Sequence, residues 1–278
     1  MRGLNSTALS AWLIALAGGA IPTLNFAADA SASFISVAEI NDEYMAPAIV
    51  NGMVPADKND YAAIFVLETE PGVFCTGTLV SSTAFVTAAH CIPQSKTINL
   101  TLLQNAIPAI CTITDENYAD PSYDWALCML KKPISGLKYE SISLDPARTN
   151  ANRELSIAGF GCTDISGLGS GVFRVGKTII TKSRYLSDYL EITGGASLCP
   201  GDSGGPAFSP SDVNYVHRAL VAINSQYFVN PLTGKSSTKS LLTSLSSPRA
   251  IEFIKSWSTS NHVALCGISA AAAGCRKP

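Results

Sequence analysis

A serine hydroxyl is a weak nucleophile. It works only with a base in hydrogen-bond reach and with donors aimed at the oxyanion that its attack creates. The string Gly201-Asp202-Ser203-Gly204-Gly205-Pro206 offers such a serine, flanked by glycines that free the backbone dihedrals and let a substrate approach closely. A bare Gly-x-Ser-Gly-Gly could equally be a turn between strands; the full six-residue string is more specific. A base is offered by His90 in Thr87-Ala88-Ala89-His90-Cys91, where small neighbours at the end of an apolar run would leave the imidazole exposed at a strand end. An orienting acid is offered by Asp124 in Asp124-Trp125-Ala126-Leu127. The apolar residues that follow would bury it, and a buried carboxylate is costly unless paired. A hydrogen bond to His90 would satisfy it and fix the tautomer of the ring. Alone, His90 reads as a structural histidine and Asp124 as a helix or turn cap. Together, in the order His, Asp, Ser, they form a complete set of nucleophile, base and orienter.

The elements that must position these residues are short. Runs rich in β-branched and aromatic residues recur between turn residues: 61–67, 78–80, 84–88, 98–103, 126–130, 155–159, 177–181, 207–208 and 219–223. Their length and spacing predict an all-β sandwich or barrel, and long helical patterns alternating with strands are missing. One helix is expected near the end. Ser247 is placed to cap it, Pro248 suits its first turn, and Ile251, Ile254 and Trp257 share one face.

The 278 residues suffice for one large all-β domain or two ordinary ones, and 47% apolar content supports a sizeable core. The formal charge of −2, with 19 scattered basic residues, gives no reason to expect nucleic acid or an anionic membrane as a partner. Residues 1–30 read as an export signal: Arg2, an apolar stretch from about Ala8 to Ile21, then small residues at Ala27, Ala28 and Ala30. The stretch is shorter than the roughly 20 residues that span a bilayer, which favours a cleaved signal over an anchor. Residues 31–48 then read as a spacer or propeptide, and the folded part opens at Ile49-Val50-Asn51-Gly52. Eight cysteines, Cys75, Cys91, Cys111, Cys128, Cys162, Cys199, Cys266 and Cys275, lie behind this leader. An even number in that context argues for disulfides and a secreted protein, extracellular or periplasmic. There is no Cys-x-x-Cys and no His-Glu-x-x-His. No metal or cofactor is expected.

Four strings, Ile49 to Gly52, Thr87 to Cys91, Asp124 to Leu127 and Gly201 to Pro206, resemble the chymotrypsin/trypsin-type serine protease family over about residues 49–258. The chain order sets it apart from the arrangements with Asp first or Ser first. The resemblance implies two six-stranded antiparallel β-barrels with the site between them and a C-terminal α-helix, leaving residues 259–278 as a tail. It implies that His90 is general base and acid, that Asp124 orients it, and that the N–H groups of Gly201 and Ser203 form the oxyanion hole. Cleavage before Ile49 would free an amine to pair with Asp202. Ala48 stands where many relatives carry Arg or Lys, so the expected activator is an elastase-like protease or a metalloprotease, or the chain itself with small-residue preference. Ser197, six before the nucleophile, falls at the base of the primary specificity pocket, with Ser225 and Tyr227 along its wall. Serine there removes the charge that would hold Arg or Lys, and tyrosine where glycine is common narrows the entrance. The expected preference is for uncharged, apolar and small residues. The Cys75–Cys91 bridge matches the family; Cys111 with Cys128, Cys162 with Cys199 and Cys266 with Cys275 complete the inferred pairing. The expected partners are polypeptide substrates and an activating protease, met by a monomer. A catalytically silent binding protein of the same fold and a secreted esterase are the competing readings.

Overall fold

The computed structural model describes residues 49–278 apart from 56, 71–72, 103–104, 117, 164–166, 184–187, 212–216 and 230–235. The expected signal (1–30) and propeptide (31–48) lie outside the described residues. Twelve strands and one helix follow in order: β1 (Ile64–Glu70), β2 (Val73–Ser81), β3 (Ala84–Thr87), β4 (Thr97–Leu102), β5 (Asn105–Ile113), β6 (Ala126–Leu130), β7 (Glu154–Gly159), β8 (Arg174–Lys182), β9 (Tyr189–Gly195), β10 (Pro206–Pro210), β11 (Arg218–Val229), β12 (Ser236–Ser244) and α1 (Pro248–Ser260).

Two antiparallel six-stranded units result. The first runs β1-β2-β3-β6-β5-β4, a curled sheet whose end strands approach each other without hydrogen-bonding. The second, β10-β11-β12-β9-β8-β7, closes into a barrel through the β7–β10 pair. Alternating apolar residues fill each interior, as the two-residue period of a strand requires. Phe65, Leu79, Phe85 and Leu100 are buried in the first, and Leu155, Ile157, Ile192 and Leu242 in the second. A third apolar cluster joins them: Val86, Trp125 and Leu127 meet Phe208, Leu220 and Ile223, with Ile254 and Trp257 of α1. The expected cap holds, since Ser247 accepts the Ala250 N–H at 3.2 Å and Pro248 sits in the first turn.

Three strands escaped the pattern reading. β12 is polar by composition, yet its hydroxyls are placed: Ser240 Oγ accepts the Leu198 N–H (3.0 Å) and Thr243 Oγ1 donates to Pro121 O (2.6 Å). β5 is interrupted by Pro108, and β9 carries Glu191 and two terminal glycines. The disulfides join Cys75 to Cys91, Cys111 to Cys128, Cys162 to Cys199 and Cys266 to Cys275.

The residues after α1 fold back as a clasp. The Cys266 N–H donates to Val80 O (2.9 Å), the Ile142 N–H to Cys266 O (2.9 Å) and the Arg276 N–H to Tyr139 O (2.8 Å). Beneath the clasp, Glu140 is wholly buried between two arginines, Arg218 at 2.5 Å and Arg276 at 3.4 Å. The Arg218 guanidinium also lies 4.0 Å from the Tyr61 ring centre. Burial pushes the Glu140 carboxyl up, and the two arginines oppose that shift. Removing that shared anion would leave two buried guanidiniums, with the half-exposed Asp60 carboxylate at 3.7 Å left to Arg276. Glu140→Gln is therefore expected to lower the unfolding free energy by about 3–5 kcal/mol, read by urea denaturation with the disulfides intact.

Candidate active site

His90 lies in a single 3-10 turn, Ala89–Cys91, directly after β3. Ala88 and Ala89 are fully buried, so the turn packs tightly while the imidazole emerges with 37% of its side chain exposed. The Cys75–Cys91 bridge ties the turn to β2. Asp124, 1% exposed, sits just before β6 beside the buried Trp125. Its carboxylate collects three donors. The His90 N–H reaches Oδ1 at 2.9 Å, His90 Nδ1 reaches Oδ2 at 2.7 Å, and the Ser225 hydroxyl reaches Oδ2 at 2.6 Å. A carboxylate only accepts, so Nδ1 carries the proton and Nε2 is left with a lone pair facing away from Asp124. Ser225 was expected along the substrate pocket; its side chain is occupied on Asp124.

Ser203 is half-buried on a tight loop. The loop is closed by the Asp202 N–H to Cys199 O and the Gly205 N–H to Asp202 O, both 3.0 Å. Gly201 and Gly204 have φ of 99° and 80°, values that favour glycine. A Cβ on Gly204 would also strike Thr76 O and Thr87 Oγ1. Among the described residues, the hydrogen bonds of Ser203 run through its backbone and not to the His90 ring. Its carbonyl accepts the Thr76 N–H at 2.7 Å and stands 3.9 Å from Cys91 Sγ, beside His90. The Gly201 and Ser203 N–H groups make no hydrogen bond within the described protein. They remain available to an incoming oxygen.

Thr76 went unnoticed in the sequence. Fully buried, it donates its hydroxyl to Gly201 O (2.9 Å) and accepts the Phe160 N–H (3.2 Å), so β2 of the first sheet grips the Ser203 loop of the second barrel. Its position next to Cys75 was the available signal. Ser197 is fully buried and its Oγ has no partner among the described residues. Its backbone pairs with Val50 in both directions, at 3.0 and 3.1 Å. Tyr227 is 39% exposed and pairs with Ser240 across β12. Ile49 is fully buried against Leu155, Ala196 and Leu198. Cys75, His90 and Cys91 bring metal-ligand atom types within 4.8 Å, but both sulfurs are in a disulfide and offer no thiolate.

The trypsin family profile matches residues 49–238, well over half of the chain. The chain belongs to the trypsin family. Its sequence is 27% identical over 231 residues to a trypsin-like protease of Streptomyces glaucescens, covering 72% of this chain and 82% of that protein. It is 26% identical over 224 residues to a chymotrypsin of Phaedon cochleariae, covering 69% and 80%. A solved structure of HBP superposes with a TM-score of 0.59 over 75% of this chain and 96% of the other; at 17% identity that likeness speaks for the fold. Membership places the chain among serine-type endopeptidases, hydrolases of peptide bonds.

Within this trypsin-family site, Asp202 is the electrostatic anomaly. It is fully buried, with Oδ1 accepting the Gly161 N–H (2.8 Å) and Oδ2 the Cys199 N–H (2.9 Å). Burial pushes its carboxyl up to about 7, against the pull of those two bonds and of the Arg174 charge. An unfolded aspartate titrates near ~3.9, so between that value and about 7 the folded state holds the extra proton. The stability that this contributes is complete below the unfolded value and is lost as pH rises through the folded one. In the uncut chain, the melting temperature of the parent minus that of Asp202→Asn is expected to fall as pH is raised from about 4 to about 8. A difference that stays level across that range would contradict the shift.

Proposed function

We propose that the chain is a secreted serine endopeptidase that acts through Ser203, His90 and Asp124 and is made as a precursor cut before Ile49. The observation that carries this reading is the array of donors on Asp124 set beside the Ser203 loop. Asp124 fixes the His90 ring with Nε2 free to accept a proton, and Ser203 stands on the adjoining loop with two unengaged N–H groups.

In the first step the Ser203 hydroxyl oxygen bonds to the scissile carbonyl carbon while its proton passes to His90 Nε2. The carbonyl oxygen becomes an oxyanion, received by the N–H groups of Gly201 and Ser203, and Asp124 stabilises the imidazolium. Collapse of this intermediate breaks the C–N bond, and His90 returns the proton to the leaving amine. Water repeats the sequence on the acyl-enzyme: His90 takes its proton, the hydroxide adds to the ester carbon, and Ser203 leaves with the proton that His90 gives back.

The four disulfides and the signal-like residues 1–30 support export to an oxidising compartment. Ala48 before Ile49 supports an activator with small-residue preference, or self-processing. After cleavage, the Ile49 amine would be the partner of Asp202. The pocket base supports a preference for uncharged side chains, since Ser197 presents a buried, unpartnered hydroxyl and no carboxylate. Ser197→Asp is expected to shift cleavage in a peptide library toward Arg and Lys; an unchanged profile would remove Ser197 from the pocket.

The decisive pair of assays is labelling by a fluorophosphonate and hydrolysis of casein, on protein cut before Ile49. Ser203→Ala should abolish labelling and lower kcat by several orders of magnitude, about 10⁶-fold where a comparable triad has been dissected. Full activity in that variant would end the assignment. A parent that folds but does not label would favour a silent binding protein. Labelling with ester turnover and no peptide turnover would favour an esterase.

A further inference from the structure

The two N–H groups offered to the oxyanion belong to two peptide units, the one between Pro200 and Gly201 and the one between Asp202 and Ser203. A peptide unit is planar and trans, so its N–H points away from its C=O. Whatever holds the carbonyl from behind therefore aims the N–H in front. Pro200 O accepts the Cys162 N–H at 2.9 Å, and Cys162 is tied to Cys199 by a disulfide. Asp202 O is held twice: the Gly205 N–H reaches it at 3.0 Å and the side-chain amide of Asn224 at 3.2 Å. Asn224 lies on β11, fully buried, one residue before Ser225. Successive residues of a strand point to opposite faces, so Ser225 goes to Asp124 while Asn224 goes to the back of the Ser203 loop.

The amide can face only one way. Its Nδ2 also donates to Ala158 O of β7 at 3.0 Å. Both neighbours are carbonyl oxygens, which only accept, so the NH2 end is the one that meets them. Oδ1 is left buried with no partner among the described residues. Packing alone would be served better by an apolar side chain, since an unpaired buried acceptor is costly. Gly205 makes the room: a Cβ on it would stand 2.9 Å from both Nδ2 and Asp202 O. The backbone of Asn224 fixes the distance, accepting the Gly204 N–H and donating to Gly205 O, both at 2.8 Å.

We propose that Asn224 is a positioning residue of the oxyanion hole, whose amide holds the Asp202 carbonyl so that the Ser203 N–H is aimed at the developing oxyanion. The bond to Ala158 O anchors the amide on the wall of the second barrel, which sets the loop against a rigid strand. A hydrogen bond on the carbonyl also polarises the peptide unit and makes its N–H a stronger donor. This rests on the role of Ser203 and of the two N–H groups proposed above.

The test uses protein cut before Ile49 and compares the parent with Asn224→Leu, which keeps the shape and removes both donors, and with Ser203→Ala. Values of kcat and KM are taken on a peptide anilide. Inhibition constants are taken for the trifluoromethyl ketone of the same peptide and for the corresponding alcohol. Ser203 adds to the ketone carbon, its proton passes to His90, and the ketone oxygen becomes an oxyanion in the hole; the alcohol forms none. Loss of a whole oxyanion donor costs about 10²–10³ in kcat, and Asn224 acts through one such donor, so Asn224→Leu should lower kcat by about 10- to 100-fold. KM should stay within about twofold, as for an interaction made only in the transition state. The ketone should bind more weakly by a factor similar to the loss in kcat, and the alcohol within about twofold of the parent. A kcat within about twofold of the parent overturns the proposal. Equal weakening of ketone and alcohol also overturns it, since that marks a general loosening of the site. Should Asn224→Leu fail to fold, Asn224→Val, smaller and suited to a strand, decides by the same readings. A parent no more active than Ser203→Ala defeats the peptidase reading itself, and this inference with it.

Discussion

A single carboxylate, that of Asp124, is where the two barrels are made to agree. His90 comes to it from the turn after β3, Ser225 from β11, and the Thr243 hydroxyl of β12 stands 3.2 Å from its backbone carbonyl. Burial at 1% exposure makes those bonds obligatory, because an unpaired charge there would cost far more than any one contact returns. The site is therefore defined only when both barrels are folded and docked. The apolar cluster of Val86, Trp125, Phe208 and Ile223 beneath it provides the docking force. Thr76 makes the reciprocal grip, reaching from β2 to the carbonyls of Gly201 and Ser203.

The same logic governs the other buried charges. Glu140 is shared by Arg218 and Arg276, which draws the residues after α1 into the body of the protein. Asp202 has two amide donors and the nearby charge of Arg174. Its proton affinity remains raised, so an additional positive charge beside it would be welcomed. A structure that encloses a few ionised groups completely can be switched by a small local change at one of them.

Much of this was legible in the sequence, and the reasons are local. Strings such as Thr87 to Cys91 and Gly201 to Pro206 hold their chemistry within five or six neighbours, so residue type and order reveal it. β3, β6 and β7 announce themselves as apolar runs because both faces are buried. β12 does not, since its serines and threonines are satisfied by partners on other elements. The expected two six-stranded barrels are present, one closed and one a half-barrel. The contacts of Ser225 and Thr76 were illegible because they join positions 101 and 125 residues apart.

The central claim is that Ser203, activated by a ring that Asp124 holds in place, attacks the substrate carbonyl. Trapping the covalent intermediate tests this most directly. Protein cut before Ile49 is mixed with a slowly deacylating ester, quenched in acid, digested and mapped by mass spectrometry. The account predicts the acyl group on Ser203 in the parent, and its loss when His90 is replaced by alanine. Turnover of peptide substrate with no acyl group on Ser203, or with the group on another residue, would contradict it.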